Sequence, residues 1–206
     1  MPSSVYAVLA FRFSVAASME AFLTSTVLVA LAETGDKTQL LSFVLAAKLR
    51  RPSAIMMGIL LATLLNHALA GSVGVALARL LSPTALKVTV AVAFFAFGLW
   101  TLKPDSLDAD PKQHRLGAFV TTLVAFFLAE MGDKTQLATV ALGARYPSLA
   151  AVVSGTTLGM MIANVPAVLL GEALAHRVPM RLVRYVAAAL FIAVGVFTLW
   201  SDPPAV

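Results

Sequence analysis

The chain has 206 residues, 60% of them hydrophobic and 12% charged, with a mean hydropathy of +0.90 and no cysteine. Soluble domains run at about 45–50% apolar and about 25% charged, so this composition excludes a soluble globular protein and indicates an integral membrane protein. The absence of cysteine excludes disulfides, thiolate metal sites and a catalytic cysteine, and the net charge of +5 is no nucleic-acid footprint, because Lys and Arg cluster at the ends of apolar runs.

In chain order, residues 1–19 are expected to form an N-terminal extension, amphipathic or disordered. Arg12 interrupts a weakly apolar stretch, and Ala16-Ala17-Ser18 before Met19 resembles a cleavage site only loosely, without a basic lead. Six apolar stretches follow, each read as a transmembrane helix: Ala21 to Ala47, Ala54 to Leu81, Leu86 to Leu102, Ala118 to Ala144, Leu149 to Ala175, and Val183 to Trp200. The breaks between them carry Pro and charge, as in Arg50-Arg51-Pro52, Ser82-Pro83, Pro104 to Arg115, Tyr146-Pro147 and His176 to Pro179. Pro lacks an amide donor and the charged groups seek water.

The segment Leu31-Ala32-Glu33-Thr34-Gly35-Asp36-Lys37-Thr38-Gln39-Leu40 returns as Leu128-Ala129-Glu130-Met131-Gly132-Asp133-Lys134-Thr135-Gln136-Leu137, 97 residues later and with one substitution. The register persists, pairing Gly58 with Gly155, Gly74 with Gly171 and Gly98 with Gly195. The chain therefore reads as a tandem duplication of a three-helix unit. Three is odd, so the second copy enters the membrane from the opposite side. The expected fold is an all-α polytopic membrane protein of six transmembrane helices, arranged as two inverted three-helix repeats. Repeat 1 covers 20–104 and repeat 2 covers 117–202, with a linker at 105–116. Nine Lys and Arg residues (Lys48, Arg50, Arg51, Lys103, Lys112, Arg115, Arg177, Arg181, Arg184) fall on one side, against Arg12, Arg79, Lys87 and Arg145 on the other. The first group and the linker are thus expected in the cytoplasm.

Each ionisable group at bilayer depth costs roughly 2.5–3.5 kcal/mol on insertion scales, so the repeated charges need partners or a bound ion. On a helix Glu33 and Asp36 share a face that Gln39 extends, as do Glu130, Asp133 and Gln136. Inversion would carry all four carboxylates to similar depth. Hard oxygen donors in that number suit Ca²⁺, Mn²⁺ or Mg²⁺. Four carboxylates against Lys37 and Lys134 leave an excess of two negative charges, neutralised by one divalent cation or by two protons. The lysines are expected to balance charge rather than to bind the ion. Two readings of Gly35 and Gly132 stay open: a broken motif helix whose freed carbonyls join the ion shell, or glycine serving close helix packing.

Thr38 and Thr135 are candidate ligands, with a bond back to the helix carbonyl as the commoner arrangement. Asn66, His67 and Asn164, polar residues inside the second and fifth stretches, are candidates for the ion shell or pathway, against interhelical hydrogen bonding. Ser42 and Thr139 are read as back-bonded hydroxyls. Gly58-x-x-x-Ala62 and Gly155-x-x-x-Gly159 are read as packing stripes, and Pro166 as a kink. Glu172 is assigned to an interfacial ion pair with His176 or Arg177, and Asp105, Asp108 and Asp110 to a solvated linker. Gly35-Asp36-Lys37-Thr38 lacks the glycines of a phosphate-binding loop, so no nucleotide is expected.

The doubled Glu-x-Gly-Asp-Lys-Thr motif resembles uncharacterised protein family 0016, which includes the Golgi calcium/manganese:proton antiporters of eukaryotes and bacterial manganese exporters. The likeness runs from Glu20 to Trp200 and carries over Glu33, Gly35, Asp36, Lys37 and Thr38, then Glu130, Gly132, Asp133, Lys134 and Thr135. It implies export of Mn²⁺ or Ca²⁺ from the cytosol, in exchange for protons, across a cell (inner or plasma) membrane. The central loop is shorter than eukaryotic members are expected to have, which points to the bacterial branch. No permanent cofactor and no nucleic acid are expected; the lipid bilayer is a partner, and homo-oligomerisation is left open. A proton-independent channel or an ion sensor would use the same residues, whereas an intramembrane enzyme has no HExxH or Gly-x-Ser-x-Gly motif to support it.

Overall fold

The computed structural model of the protein describes residues 3–104, 117–170 and 179–201, the side chains of 3–11 and 13 aside. Among them are eight α-helices and no strand: α1 (Ser3–Glu33), α2 (Lys37–Leu49), α3 (Pro52–Leu80), α4 (Pro83–Thr101), α5 (Ala118–Glu130), α6 (Lys134–Arg145), α7 (Leu149–Leu170) and α8 (Met180–Trp200). Helix starts follow local chemistry. Pro52 and Pro83 open α3 and α4, where a missing amide donor costs nothing, and the Ser82 hydroxyl accepts from Ala85 N at 3.3 Å. The linker acids Asp105, Asp108 and Asp110, Gly171, and the Glu172, His176 and Arg177 group lie outside the described residues.

Two of the six expected helices are each two helices. The stretch Ala21 to Ala47 breaks between Glu33 and Lys37, and Ala118 to Ala144 breaks between Glu130 and Lys134. The open question about Gly35 and Gly132 is thereby decided for the break, since both adopt positive φ, 83° and 77°. That left-handed geometry terminates a helix and is costly for any residue with a Cβ. The following aspartates then take extended backbone as N-caps of α2 and α6. Helix α1 runs continuously from Ser3 to Glu33. Five helical segments are long and apolar enough to cross a membrane: Ser14–Glu33, Pro52–Leu80, Pro83–Thr101, Leu149–Leu170 and Met180–Trp200. Ala118–Glu130 is apolar but short. Helix α7 continues through Pro166.

The packing is reciprocal between the two halves of the chain. A Cβ on Gly58 of α3 would lie 2.9 Å from Phe119 O and 2.8 Å from Thr122 Cβ of α5; one on Gly155 of α7 would lie 2.5 Å from Phe22 O and 3.0 Å from Ser25 Cβ of α1. All three participants are displaced by the same 97 positions. The same holds for α4 against α8, where Gly98 approaches Ala188 O and Gly195 approaches Ala91 O, at 3.1 and 3.2 Å from the added Cβ. Phe94 stacks on Phe191 at that crossing, and Phe97 meets the same ring edge-on. Small residues let backbones approach where lipid supplies no hydrophobic drive between helices. Each motif helix thus leans on the second helix of the other half.

Candidate functional site

The site lies at the two breaks. Glu33 is the last residue of α1 and Glu130 the last of α5, and both are fully buried. Asp36 and Asp133, the N-caps, have extended backbone and lie at the positive ends of α2 and α6; the Asp133 carboxylate accepts from Lys134 N at 2.7 Å. Gln39 and Gln136 fold back across the turn, their Oε1 atoms accepting from Gly35 N at 2.9 Å and Gly132 N at 2.7 Å. Their Nε2 atoms reach into the other half. Gln39 donates to Ala163 O at 3.0 Å, and Gln136 to Asn66 Oδ1 at 3.2 Å; positions 66 and 163 are again 97 apart.

The lysines cross over. Lys37 Nζ lies 3.3 Å from Asp133 Oδ2, and Lys134 Nζ lies 2.5 Å from Asp36 Oδ1. Each lysine therefore neutralises an aspartate of the opposite motif. Buried pairs of this kind offset desolvation only when both partners are present. Lys134 is 5% exposed and Lys37 25%, so the arrangement is not fully symmetric.

Thr38 donates to Glu33 Oε2, and Thr135 to Glu130 Oε2 at 3.2 Å. The hydroxyls do not bond back to their own helix as the commoner arrangement has it. The cause is local: residue i−4 of each lies in the break, where no helical carbonyl is in register. The second oxygen of each glutamate, Oε1, has no hydrogen-bond partner among the described residues. Glu33 is within electrostatic reach of Glu130 and Asp133, and Glu130 within reach of Asp36. The breaks thus bring all four carboxylates and both lysines together. Among the described residues, no three His, Asp or Glu side chains gather round one point as a metal cage.

The polar candidates on α3 and α7 border this cluster. Asn66 donates to Phe127 O at 3.0 Å, and Asn164 accepts from Ser42 at 2.8 Å while donating to Met160 O at 3.1 Å. His67 Nε2 is 3.9 Å from Glu130 Oε2. Of the two hydroxyls read as back-bonded, Thr139 bonds to Thr135 O at 2.8 Å as expected, whereas Ser42 crosses to Asn164.

Some polar residues carried no sequence signal by themselves. Ser25 and Thr122, buried two turns before Glu33 and Glu130, have hydroxyls without partners among the described residues, and the 97-residue register alone would have paired them. Arg145, a basic residue counted above only for orientation, is buried. It donates to Thr198 at 2.9 Å, with Tyr146 and Phe197 rings 5.2 and 5.3 Å from its guanidinium carbon. Its counterpart Lys48 is exposed.

The profile of the family described as divalent cation/proton antiporter GDT1 matches the chain twice, over residues 21–109 and 118–205. A Vibrio cholerae protein named "Putative manganese exporter" is 49% identical over 181 residues, which cover 87% of this chain and 90% of that protein. "GDT1-like protein 5" of Arabidopsis thaliana is 30% identical over 220 residues, covering 88% and 96%. "GDT1-like protein 4" of Oryza sativa subsp. indica is 28% identical over 212 residues, covering 89% and 74%. No solved structure matches the chain. A charge cluster built twice at broken helices, in a protein of long apolar helices, agrees with these likenesses: the chain belongs to the GDT1 divalent cation/proton antiporter family, whose members are membrane transporters and not enzymes.

Proposed function

We propose that the protein exports Mn²⁺, with Ca²⁺ as the second candidate substrate, from the cytoplasm across the plasma membrane in exchange for protons. The transported ion binds between Glu33, Asp36, Glu130 and Asp133. The observation that carries this reading is the crossed pairing of Lys37 with Asp133 and Lys134 with Asp36, beside two buried glutamates that each keep an oxygen without a hydrogen bond. Such a cluster retains a formal excess of two negative charges, which one divalent cation or two protons remove. Alternate loading of the same carboxylates by cation and protons is the coupling. Moving a divalent cation outward against an inside-negative potential costs about 4.6 kcal/mol per 100 mV, work that proton entry supplies.

In this reading the two halves, 20–104 and 117–202, are repeats of opposite orientation. The helix pairs α1–α2 and α5–α6 each make one broken pass, and the 105–116 linker is cytoplasmic. The reciprocal contacts 97 residues apart support that arrangement, as does the double match of the family profile. Broken helices whose termini face a buried ion recur in transporters of inverted repeats.

The test is flux in proteoliposomes. Saturable Mn²⁺ movement that acidifies the opposite compartment is the expected result, with Glu33→Gln and Asp133→Asn each reducing it to background. Full flux in either variant would sink the site assignment. Mn²⁺ movement without proton movement would make the protein a channel, and binding without movement a sensor.

A further inference from the structure

We infer that His67 is a direct ligand of the transported cation, shared with Glu130, and that its imidazole favours Mn²⁺ over Ca²⁺ and Mg²⁺. This deepens the transport reading above and rests on it.

His67 lies midway along α3, fully buried, and neither ring nitrogen has a hydrogen-bond partner among the described residues. A buried polar group left in that condition is destabilising, because it has given up water without gaining a partner. Its neighbour one turn earlier on the same face, Thr63, is also fully buried with an unpartnered hydroxyl. The equivalent position in the other half shows the contrast. Asn164 is satisfied by protein alone, through Ser42, Met160 O and Met160 Sδ. Thr139, the counterpart of Ser42, bonds to Thr135 O instead of reaching His67. The amide is thus a structural hydrogen-bonding group, while the imidazole has no hydrogen-bond partner among the described residues.

The spacing fits an ion. The 3.9 Å between His67 Nε2 and Glu130 Oε2 is too long for a hydrogen bond. A metal–nitrogen bond of about 2.0–2.1 Å and a metal–oxygen bond of about 2.0–2.2 Å, the lengths at zinc sites, together span up to about 4.3 Å, so one cation of similar size bridges the two in a bent arrangement. Glu130 Oε1, also without a hydrogen bond, is available beside it. A nitrogen ligand discriminates by chemistry. Ca²⁺ and Mg²⁺ take oxygen shells, whereas first-row transition metals accept imidazole nitrogen. Four carboxylates alone offer no such preference.

The experiment uses the purified full chain with Mn²⁺ and Ca²⁺ as the probes. Electron-spin-echo spectroscopy of bound Mn²⁺ is expected to show imidazole ¹⁴N coupling in the wild type and none in His67→Asn, which installs the amide of the equivalent position. Calorimetric Mn²⁺ affinity should fall at least tenfold in that variant, with Ca²⁺ affinity changing less than threefold. Bound Mn²⁺ without nitrogen coupling in the wild type, or equal losses for both cations, would overturn the inference while leaving carboxylate-based transport standing. The wild-type measurement needs no variant to fold. A wild-type chain that binds neither cation would overturn the transport reading along with it.

Discussion

At the residue scale, the two lysines do not carry equal weight. Lys134 and Asp36 are buried together, whereas Lys37 is a quarter exposed against Asp133. Removing one member of a buried ion pair costs about 3–5 kcal/mol, because the other charge stays in low dielectric without that partner. Lys134→Met is therefore expected to lower the thermal midpoint in detergent clearly more than Lys37→Met. The double variant Lys134→Met/Asp36→Asn should recover most of the loss. A double-mutant cycle on thermal unfolding measures the coupling; equal effects of the two single substitutions would contradict the asymmetry. The crossed partnership itself was not legible in the sequence. Charge counting gave the excess of two negatives, but which lysine meets which aspartate depends on how two distant turns face each other.

At the scale of elements, the break in each motif helix had a local signature. Gly35-Asp36-x-x-Gln39 and Gly132-Asp133-x-x-Gln136 place a left-handed stop, an N-cap and a glutamine at the capping-box position in sequence. A search for proline breaks passes over that pattern, which is why the sequence left two readings open. The 97-residue register and the packing glycines were legible because both follow from residue size and spacing. The bond from Ser42 to Asn164 and the burial of Arg145 were not, since nothing along α2 or α6 says which neighbour they meet.

The α3–α6 crossing has its own consequence. A Cβ on Gly74 would fall 2.1 Å from Val140 O, a backbone atom that cannot step aside, whereas on Gly71 it would meet first the end of the Leu149 side chain. Gly74→Ala should destabilise by about 1–3 kcal/mol, as overpacking does, and push α6 off α3, weakening the Gln136–Asn66 bond and Mn²⁺ flux together. Gly71→Ala should stay within about 1 kcal/mol and transport normally. Thermal unfolding and the flux assay on the same preparations compare them.

At the scale of the whole molecule, neither half is complete. Phe22 and Ser25 pack on Gly155, Phe119 and Thr122 pack on Gly58, and each motif's aspartate takes its cation from the other motif. Residues 1–116 expressed alone should fail to accumulate as a folded species, and so should 117–206. Co-expression of the two pieces is expected to restore a complex that co-purifies and binds Mn²⁺. Stable accumulation of either piece alone would show that the reciprocal contacts are dispensable for folding.

Those crossed contacts also set a timetable for synthesis. The chain makes Glu33 and Asp36 long before it makes Lys134 or Gly155, and at about 5–20 residues per second the gap is on the order of ten seconds. Through that interval two carboxylates of the first half have neither the lysine nor the helix that later covers them. On the transport reading above, insertion of α1 and α2 is expected to be complete only once α6 and α7 have been made. Pulse-chase proteolysis is expected to cut the nascent first half faster than the finished chain, and equal rates would show that the later contacts do not protect it.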